Sequence, residues 1–293
     1  MIDQNQVKRL LEFLSVSRKV GILFANTQQQ ELLLAILAIY LFLNDLSSLK
    51  RTKVNLVKLN LFSPAKIEKS FKSQSNLKKY LKQNQLLAIS QQDLGKDNLL
   101  ISFPYQPAQV DKVSYHIGEN DQRFYLTIKP QAGSAPLNYQ EVNFSYTGSS
   151  ADLLVLIGVN ELEDLQDLYA NYRQLYQNTP IITINSFLPD FGTLNLDISG
   201  SSGYGEAIFY LIKSLANLLE INLTDLPKIK QIATLLFASI EQKTNQFTSS
   251  IMTADSFLAV AELLKLGAER LENTSKAVDN KLPQSKDKKV GPN

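Results

Sequence analysis

Val20-Gly21-Ile22-Leu23-Phe24 forms an apolar run between charged residues on its amino side and polar residues on its carboxyl side. Such a run is typical of a strand that is buried on both faces of a parallel sheet. After a short polar connector, the segment from about Gln28 to Asn44 is apolar nearly all round, which indicates a buried helix. A strand, a short turn and a buried helix open a βαβ unit, so this region predicts an α/β fold.

The same alternation continues through the rest of the chain. Further strands are predicted at 54–61, 99–103, 153–157 and 181–184. Helices are predicted at 4–14, 64–72, 75–83, 161–175, 203–219, 226–242 and 253–272, with a long connector leading to Ser202. Residues 110–147 alternate between apolar and polar residues around turn signals, which indicates an antiparallel hairpin insertion. The predicted fold is thus a doubly wound, mostly parallel α/β sheet with this insertion and a helical C-terminal end.

Residues 1–273 are expected to form a single α/β domain. Residues 274–293 are rich in Lys, Pro, Ser and Asp and lack an apolar period, so a disordered Lys-rich tail is expected there. The N-terminus has no signal-peptide pattern. The longest apolar run, Leu32 to Leu43, is shorter than the roughly 20 residues that span a bilayer. We therefore expect no membrane partner and a cytoplasmic location.

Two residue types limit the possible chemistry. The chain has no cysteine and one histidine, His116, which excludes disulfides, thiolate metal sites, cysteine nucleophiles and zinc sites with two histidines. His116 falls in the middle of a predicted strand. It is interpreted either as a general base or as an ordinary sheet histidine.

Basic residues are concentrated in one segment. Residues 50–82 carry a net charge of +9, whereas the whole chain carries +2, so the remainder carries −7. The candidate nucleic-acid residues are Lys50, Arg51, Lys53, Lys66, Lys69, Lys72, Lys78, Lys79 and Lys82. Clustered lysines are typical of phosphate binding, and the interleaved Phe71 and Tyr80 could stack on bases. The alternative is a solvated face of two short helices.

Four segments of the chain carry a family resemblance: the strand and helix around residues 25–31, then residues 151–157, 180–206 and 233–247. The third is the most specific and contains Pro180-Ile-Ile-Thr-Ile-Asn185-Ser186-Phe187, Phe191-Gly192-Thr-Leu-Asn195-Leu-Asp197 and Ser201-Ser202-Gly203-Tyr204-Gly205-Glu206. In order and spacing the four segments resemble the DHH family of phosphoesterases, in its nanoRNase, oligoribonuclease and pAp-phosphatase-like branch. The resemblance extends over about residues 18–272. In that family, Asp and His at the carboxyl ends of parallel strands hold two divalent cations that bind phosphate and activate water.

The resemblance places the family's metal-binding positions on residues of other chemistry. These positions are Ala25, Gln29, Glu31, Gly158, Asn185, Ser186, Phe187 and Lys243. Only Glu31 retains an acid, and Lys243 puts a cation where the family has an anion. The resemblance therefore implies no catalytic residues, no metal and no cofactor. It also implies that the family's C-terminal substrate-binding domain is missing.

A second candidate site is the glycine-bearing segment before the helix predicted at 203–219. Backbone N–H groups of Ser201, Ser202, Gly203 and Gly205 are candidates for binding an anion without a metal. The alternative is a loop that needs glycine for its turns. The acids expected nearest the cleft are Glu31, Asp152, Asp197 and Glu206, of which Glu206 is also interpreted as a helix cap.

The leading functional hypothesis is a catalytically degenerate binding or scaffolding protein. Its expected ligand is a nucleotide, a short nucleic acid or a protein partner. The first alternative is an active phosphodiesterase, an oligoribonuclease or pAp phosphatase that uses Mn²⁺ or Mg²⁺ in a rebuilt site. The second is a structural protein-interaction subunit. A homodimer is also expected, with the apolar residues of the C-terminal helices either forming its interface or packing into the core; these residues are Phe257, Val260, Leu263, Leu264 and Leu266.

Overall fold

The structure is a computed structural model. The residues described are 3–25, 28–49, 52–65, 67, 75–86, 90–91, 94, 98–105, 109–118, 122–147 and 151–271. The predicted tail at 274–293 and most of the predicted helix at 64–72 lie outside these residues.

A six-stranded, all-parallel sheet forms the centre of the protein, in the order β10-β9-β8-β1-β2-β3. Its strands are β1 (Lys19–Leu23), β2 (Lys58–Phe62), β3 (Ser90–Gln91), β8 (Leu153–Ile157), β9 (Ile181–Asn185) and β10 (Leu194–Asp197). The order runs outward in both directions from the neighbouring β1 and β8, as in doubly wound folds. The α/β prediction is confirmed.

The burial of β8 shows why these segments form a central sheet. All five of its residues are buried. Leu153, Val155 and Ile157 face the larger apolar core, whereas Leu154 and Leu156 face the smaller one. Because alternate residues of a strand point to opposite faces, a strand covered on both sides has to be apolar throughout.

Helices cover both faces of the sheet. They are α1 (Gln4–Val16), α2 (Gln30–Ser48), α3 (Ser75–Gln83), α4 (Asp167–Ala170), α5 (Arg173–Asn178), α6 (Tyr204–Leu218), α7 (Ile229–Lys243) and α8 (Ala254–Lys265). The larger core contains residues of α1, α2, α3, α6, α7 and α8. The smaller core contains residues of α4 and α5.

Helix α2 is the centre of the larger core. By length and composition it is also the one helix in the described part of the chain that could cross a membrane. However, 78% of the apolar 18-residue stretch of this helix is buried inside the protein. That burial is typical of the central helix of a globular core.

Three elements differ from the prediction. The helix expected at 161–175 is broken into a 3₁₀ turn at Leu162–Leu165, α4 and α5, with Gln166 at a positive φ of 52° between the first two. The expected connector before Ser202 contains the edge strand β10. The last helix ends at Lys265 rather than at 272 because Gly267 adopts a φ of 90° and the Ala268 N–H donates to the Leu263 carbonyl, which closes the helix.

The insertion is longer than predicted and consists of two antiparallel hairpins, one enclosed by the other in sequence. We call the pair nearer to the main sheet along the chain, β4 (Asn98–Ser102) with β7 (Asn143–Thr147), the inner hairpin. We call the enclosed pair at the far end of the insertion in sequence, β5 (Val110–Ile117) with β6 (Phe124–Pro130), the outer hairpin. The strand expected at 99–103 therefore belongs to the insertion, which we call the β-arm (residues 98–147). In β5, every residue after Val110 is exposed.

The point where the strand order reverses lies between β1 and β8. In open α/β sheets, the crevice outside the carboxyl ends of the strands at such a point is the usual position of a ligand site. Ala25 lies just after β1, and Gly158 directly follows β8. The fold therefore directs attention to this edge of the sheet.

Candidate functional site

A cleft of about 720 Å³ opens at the carboxyl edge of the sheet. This volume is within the range of small-molecule sites, about 300–1,000 Å³. Its lining residues are Ala25, Gln28, Gln29, Glu31, Pro64, Ala65, Gly158, Asn160, Asp164, Gln166, Ser186, Phe187, Tyr204 and Lys243. The surface is mainly polar and uncharged.

The positions that the family resemblance selected meet at this cleft. Seven of the eight line it, namely Ala25, Gln29, Glu31, Gly158, Ser186, Phe187 and Lys243. The eighth, Asn185, is the last residue of β9 and is completely buried. Its Nδ2 donates to the Val159 carbonyl at 2.8 Å, whereas its Oδ1 has no hydrogen-bond partner among the described residues.

An ion pair joins two helices across the cleft. Glu31 lies in the first turn of α2 and Lys243 is the last residue of α7. Each charge therefore complements the dipole of its own helix. Glu31 Oε1 lies 3.5 Å from Lys243 Nζ, and the side chains are 11% and 44% exposed, respectively. Glu31 Oε2 is buried and has no hydrogen-bond partner within the described part.

The environment of Glu31 makes its carboxyl a weaker acid than a solvated one. Burial raises the pKa of the carboxyl above its ordinary value, and the Lys243 ammonium and the Tyr204 backbone N–H only partly oppose this rise. Desolvation penalises the ionised form, whereas a nearby cation favours it. In this site the desolvation effect is the larger of the two.

The hydroxyl of Tyr204 contributes a second polar group to the cleft. Burial and, to a smaller extent, the Glu31 carboxylate raise the pKa of Tyr204 to about 12, although a hydrogen bond with the Ser186 side chain opposes the rise. The phenol is therefore neutral at physiological pH. Gly158 lies beside it: a Cβ added there would be 3.3 Å from the Tyr204 hydroxyl and 2.7 Å from Leu32 Cδ2. With a φ of 67° as well, glycine suits this strand end best.

The donor set of the cleft does not fit two divalent cations. Hard cations take carboxylate, carbonyl and water oxygens, and a two-metal site needs several anionic ligands. Of the family positions, only Glu31 offers a carboxylate, and it already pairs with Lys243. The other acid in the lining, Asp164, accepts the N–H groups of Asn160 and Glu161. Within the described residues, no group of three or more His, Cys, Asp or Glu side chains could hold a metal ion.

The candidate anion-binding loop is occupied by internal hydrogen bonds. Glu206 Oε2 accepts from Ser202 N at 3.2 Å, from Ser202 Oγ at 2.5 Å and from Ser256 Oγ at 2.6 Å. Ser201 N donates to the Ile198 carbonyl at 2.9 Å. Glu206 therefore serves as the anion at the start of α6 and links this end to α8.

The glycines of this loop allow close packing against α7. A Cβ at Gly203 would lie 2.7 Å from Lys243 Cγ, and one at Gly205 would lie 2.5 Å from Ser239 Oγ. These contacts give an anion site no support, so the site at Ser201, Ser202, Gly203 and Gly205 stays a prediction.

Only part of the lysine cluster can be located. Lys53, Lys78, Lys79 and Lys82 are described, whereas Lys50, Arg51, Lys66, Lys69, Lys72 and Phe71 lie outside the described residues. Tyr80 packs against the larger core, and burial raises the pKa of its hydroxyl. Its ring is thus partly used within the protein.

Helix α3 approaches the far end of α7. Gln231 Nε2 donates to Asn84 Oδ1, just after α3, at 2.8 Å. Twelve residues of helix separate Gln231 from Lys243, which corresponds to about 18 Å. The described lysines of α3 are therefore apart from the cleft.

The remaining candidate residues have structural surroundings. Asp152 was expected near the cleft. It instead lies at the amino end of β8, at the opposite edge of the sheet, where it accepts the N–H groups of Arg18 and Lys19. Asp197 accepts the N–H of Ser199. His116 stacks on Tyr125 in the β-arm, with ring centroids 4.7 Å apart.

The C-terminal apolar residues divide between the core and the surface. Leu263 is buried and packs into the larger core, whereas Val260 and Leu266 are partly buried against it. Phe257 and Leu264 are more than half exposed on α8. A dimer interface on this helix stays a prediction.

Sequence reasoning gave no role to seven residues that line the cleft, namely Gln28, Pro64, Ala65, Asn160, Asp164, Gln166 and Tyr204. Gln166 stands at the break of a helix predicted to be continuous. Tyr204 was quoted within the family segment without a role. Its position one residue after Gly203, at the start of the predicted helix, was the available signal.

No family model matches the chain, and no curated protein matches it. Among solved structures, the chain is similar to the crystal structure of an exopolyphosphatase-related protein from Bacteroides fragilis, with a TM-score of 0.52 and 14% sequence identity. The similarity covers 92% of this chain and 58% of that chain, so this chain spans a little over half of that protein's length. At this identity the similarity shows the fold alone. The chain therefore shares the α/β fold of that structure.

Proposed function

We propose that this protein is a phosphoesterase-like protein that binds a nucleotide, or the end of a short nucleic acid, without two-metal hydrolysis. The observation that carries the proposal is the Glu31–Lys243 ion pair in the cleft. The one family position that retains an acid is neutralised by the one position that has become a cation. A lysine in this place supplies positive charge where the family uses metal ions.

The cleft offers complementary groups for such a ligand. Lys243 Nζ is partly exposed and can pair with a phosphate. Phe187 is 43% exposed on the cleft wall and presents a ring on which a base can stack. Side-chain amides and hydroxyls around the cleft can bond the polar edges of a base or ribose. Because Glu31 competes for Lys243, we expect modest affinity.

The test is a titration of labelled short single-stranded RNA and of pAp with either Mn²⁺ or EDTA present, with binding and cleavage followed together. Binding that is insensitive to EDTA, with no cleavage, is the expected result. Phe187→Ala and Lys243→Met should each weaken binding about tenfold. Leu188→Ala and Lys265→Met are matched controls, since both residues are exposed and neither lines the cleft. Binding that all four variants retain would refute the assignment of the cleft.

One observation favours a different function, an active metal-dependent phosphodiesterase with a rebuilt site. Glu31 Oε2 and Asn185 Oδ1 are buried oxygens without hydrogen-bond partners in the described part of the chain. Such oxygen atoms are able to coordinate a cation. Cleavage that requires Mn²⁺, stops on chelation and is lost in Glu31→Gln would support this function and reject the binding-only proposal.

Binding of longer nucleic acid through the lysine cluster is a separate possibility. Lys79 and Lys82 are exposed on α3. The double variant Lys79→Glu/Lys82→Glu should weaken binding of a long strand in a salt-dependent manner and leave pAp binding unchanged. Equal binding of the long strand by this variant and by the wild type would remove α3 from the proposal.

The cytoplasmic location also stays a prediction.

A further inference from the structure

The outer hairpin of the β-arm is amphipathic. Its strands pair Val113 with Ile128, Tyr115 with Leu126, and Ile117 with Phe124. Because alternate residues point to opposite faces, these six residues share one face, which we call the apolar face. The opposite face carries Lys112, Ser114, His116, Tyr125, Thr127 and Lys129. None of the six residues of the apolar face is charged, and Asp111, at the bulge before Lys112, forms an ion pair with Lys129.

This apolar face is open to solvent. Tyr115, Ile117 and Phe124 are 71%, 69% and 64% exposed. Val113 and Leu126 are also exposed. Tyr115 and Phe124 stack on each other at 5.3 Å between ring centroids, so the aromatic surface is preformed. A soluble monomer rarely exposes a continuous apolar patch of this kind unless the patch binds something.

The inner hairpin has the same character. Leu99 and Ile101 of β4 point to one face, and Phe144 of β7 stands opposite Ile101 on that face. Leu99 is 59% exposed and Phe144 is 64% exposed. Both segments of the β-arm therefore leave an apolar face uncovered.

The exposed area approaches what an interface between two proteins requires. An aromatic side chain presents about 200 Å² and an aliphatic one somewhat less, so the exposed fractions give roughly 500 Å² for the outer hairpin. Leu99 and Phe144 present about 200 Å² more on the separate two-stranded sheet of the inner hairpin. A standard interface buries about 800 Å² per partner, so the outer hairpin alone supplies more than half of one.

We propose that the apolar face of the β-arm docks on the same face of a second copy of this chain. Under a two-fold axis each face meets its own copy, and a face without charges meets it without repulsion. A two-stranded hairpin is only marginally stable in water, whereas two hairpins packed face to face form a four-stranded sandwich with a shared apolar core. Dimerisation therefore supplies what each hairpin lacks.

Other occupants fit this face less well. A nucleic acid needs cations on the contact face, and here the lysines are on the opposite face. A lipid bilayer would surround the outer edges of the hairpin, which is a two-stranded sheet in the described part of the chain, and backbone groups at a sheet edge find no partners in hydrocarbon. In a face-to-face dimer, the same edges stay in water.

The experiment is sedimentation velocity of the full chain over a wide concentration range. The wild type should dimerise. Leu126→Lys and Tyr115→Lys should each raise the dimer dissociation constant by about 100-fold or more, because the two-fold axis buries two unpaired charges per substitution. Thr127→Lys and Ser114→Lys are matched controls on the opposite face and should leave the constant unchanged.

Two results would overturn the proposal. One is a wild type that is monomeric at all concentrations. In that case, binding of the monomer to zwitterionic vesicles would assign the apolar face to lipid. The other is a dimer that persists in both apolar-face variants. Because none of these substitutions lies in the cleft, failure here leaves the proposed function untouched, and failure of ligand binding leaves the dimer untouched.

Discussion

Replacing Lys243 by Met tests the balance of charge in the cleft. Methionine keeps an unbranched stem under Gly203 and removes the ammonium group that pairs with Glu31. The buried carboxylate then has to remain ionised without a neighbouring cation or take up a proton. We expect Lys243→Met to lower the free energy of unfolding at pH 8 and to have little effect at pH 4.

The magnitude follows from the 3.5 Å separation of Lys243 Nζ and Glu31 Oε1. Two unit charges at that distance attract by about 1 kcal/mol in water and by about 5 kcal/mol at an effective dielectric constant of 20. The lysine side chain is 44% exposed, so solvent screening moves the value toward the lower limit. We expect a loss of about 2 kcal/mol at pH 8.

The sign of the pH dependence comes from the raised pKa of Glu31. Between its unfolded value near 4.5 and its folded value, the folded protein binds more protons than the unfolded chain. The stability contributed by the neutral carboxyl is fully present below the unfolded pKa and is lost as pH rises through the folded pKa. Lys243→Met raises the folded pKa further and extends this loss to higher pH. Glu31→Gln removes it and should stabilise the protein at pH 8.

The assay is urea denaturation of the wild type, both single variants and the double variant Glu31→Gln/Lys243→Met at pH 4 and pH 8. The double-mutant cycle built from these four proteins at pH 8 should give a coupling energy of about 2 kcal/mol between Glu31 and Lys243. Coupling below about 0.5 kcal/mol at pH 8, or an equal loss for Lys243→Met at both pH values, would refute this account of the pair.

Two further predictions concern the packing of α6. Gly205→Ala should lower the free energy of unfolding by roughly 2 kcal/mol in thermal or urea denaturation, since its methyl group would lie 2.5 Å from Ser239 Oγ; a stability equal to the wild type would mean that α6 and α7 separate without cost. Ser256→Ala should cost about 2 kcal/mol because it removes a donor at 2.6 Å from the buried Glu206 carboxylate; Ser250→Ala, at an exposed turn, is the control, and an equal effect of both substitutions would contradict the role given to Glu206.

The main sheet follows from local sequence, whereas the position of the cleft was implied by the family resemblance. An apolar run such as Leu153–Ile157 is bounded by polar residues and is buried on both faces, so its pattern specifies the strand without further information. The carboxyl ends of parallel strands share one edge of a sheet, in keeping with the family resemblance that assigned Ala25, Gly158 and Ser186 to a common site.

The details that sequence reasoning missed depend on partners distant in the chain. β10 has four residues, two of them polar, and becomes a strand because it pairs with β9. The hydrogen bond from Ser256 to Glu206 joins residues 50 positions apart. The pairing of β4 with β7 likewise joins segments that are far apart in sequence, such as Ser102 and Asn143. Local pattern contains no information about such pairs.

The nesting of the β-arm has a consequence for the order of folding. β8 pairs with β1, yet about 90 residues separate β2 from β8, and closing so long a loop is entropically unfavourable. The outer hairpin is local, and its formation brings β4 and β7 together, which shortens the effective loop by more than half. The saving is about 0.7 kcal/mol, or roughly a threefold faster closure. A β-arm that forms early would thus act as a chain-shortening device, bringing the second half of the sheet to the first.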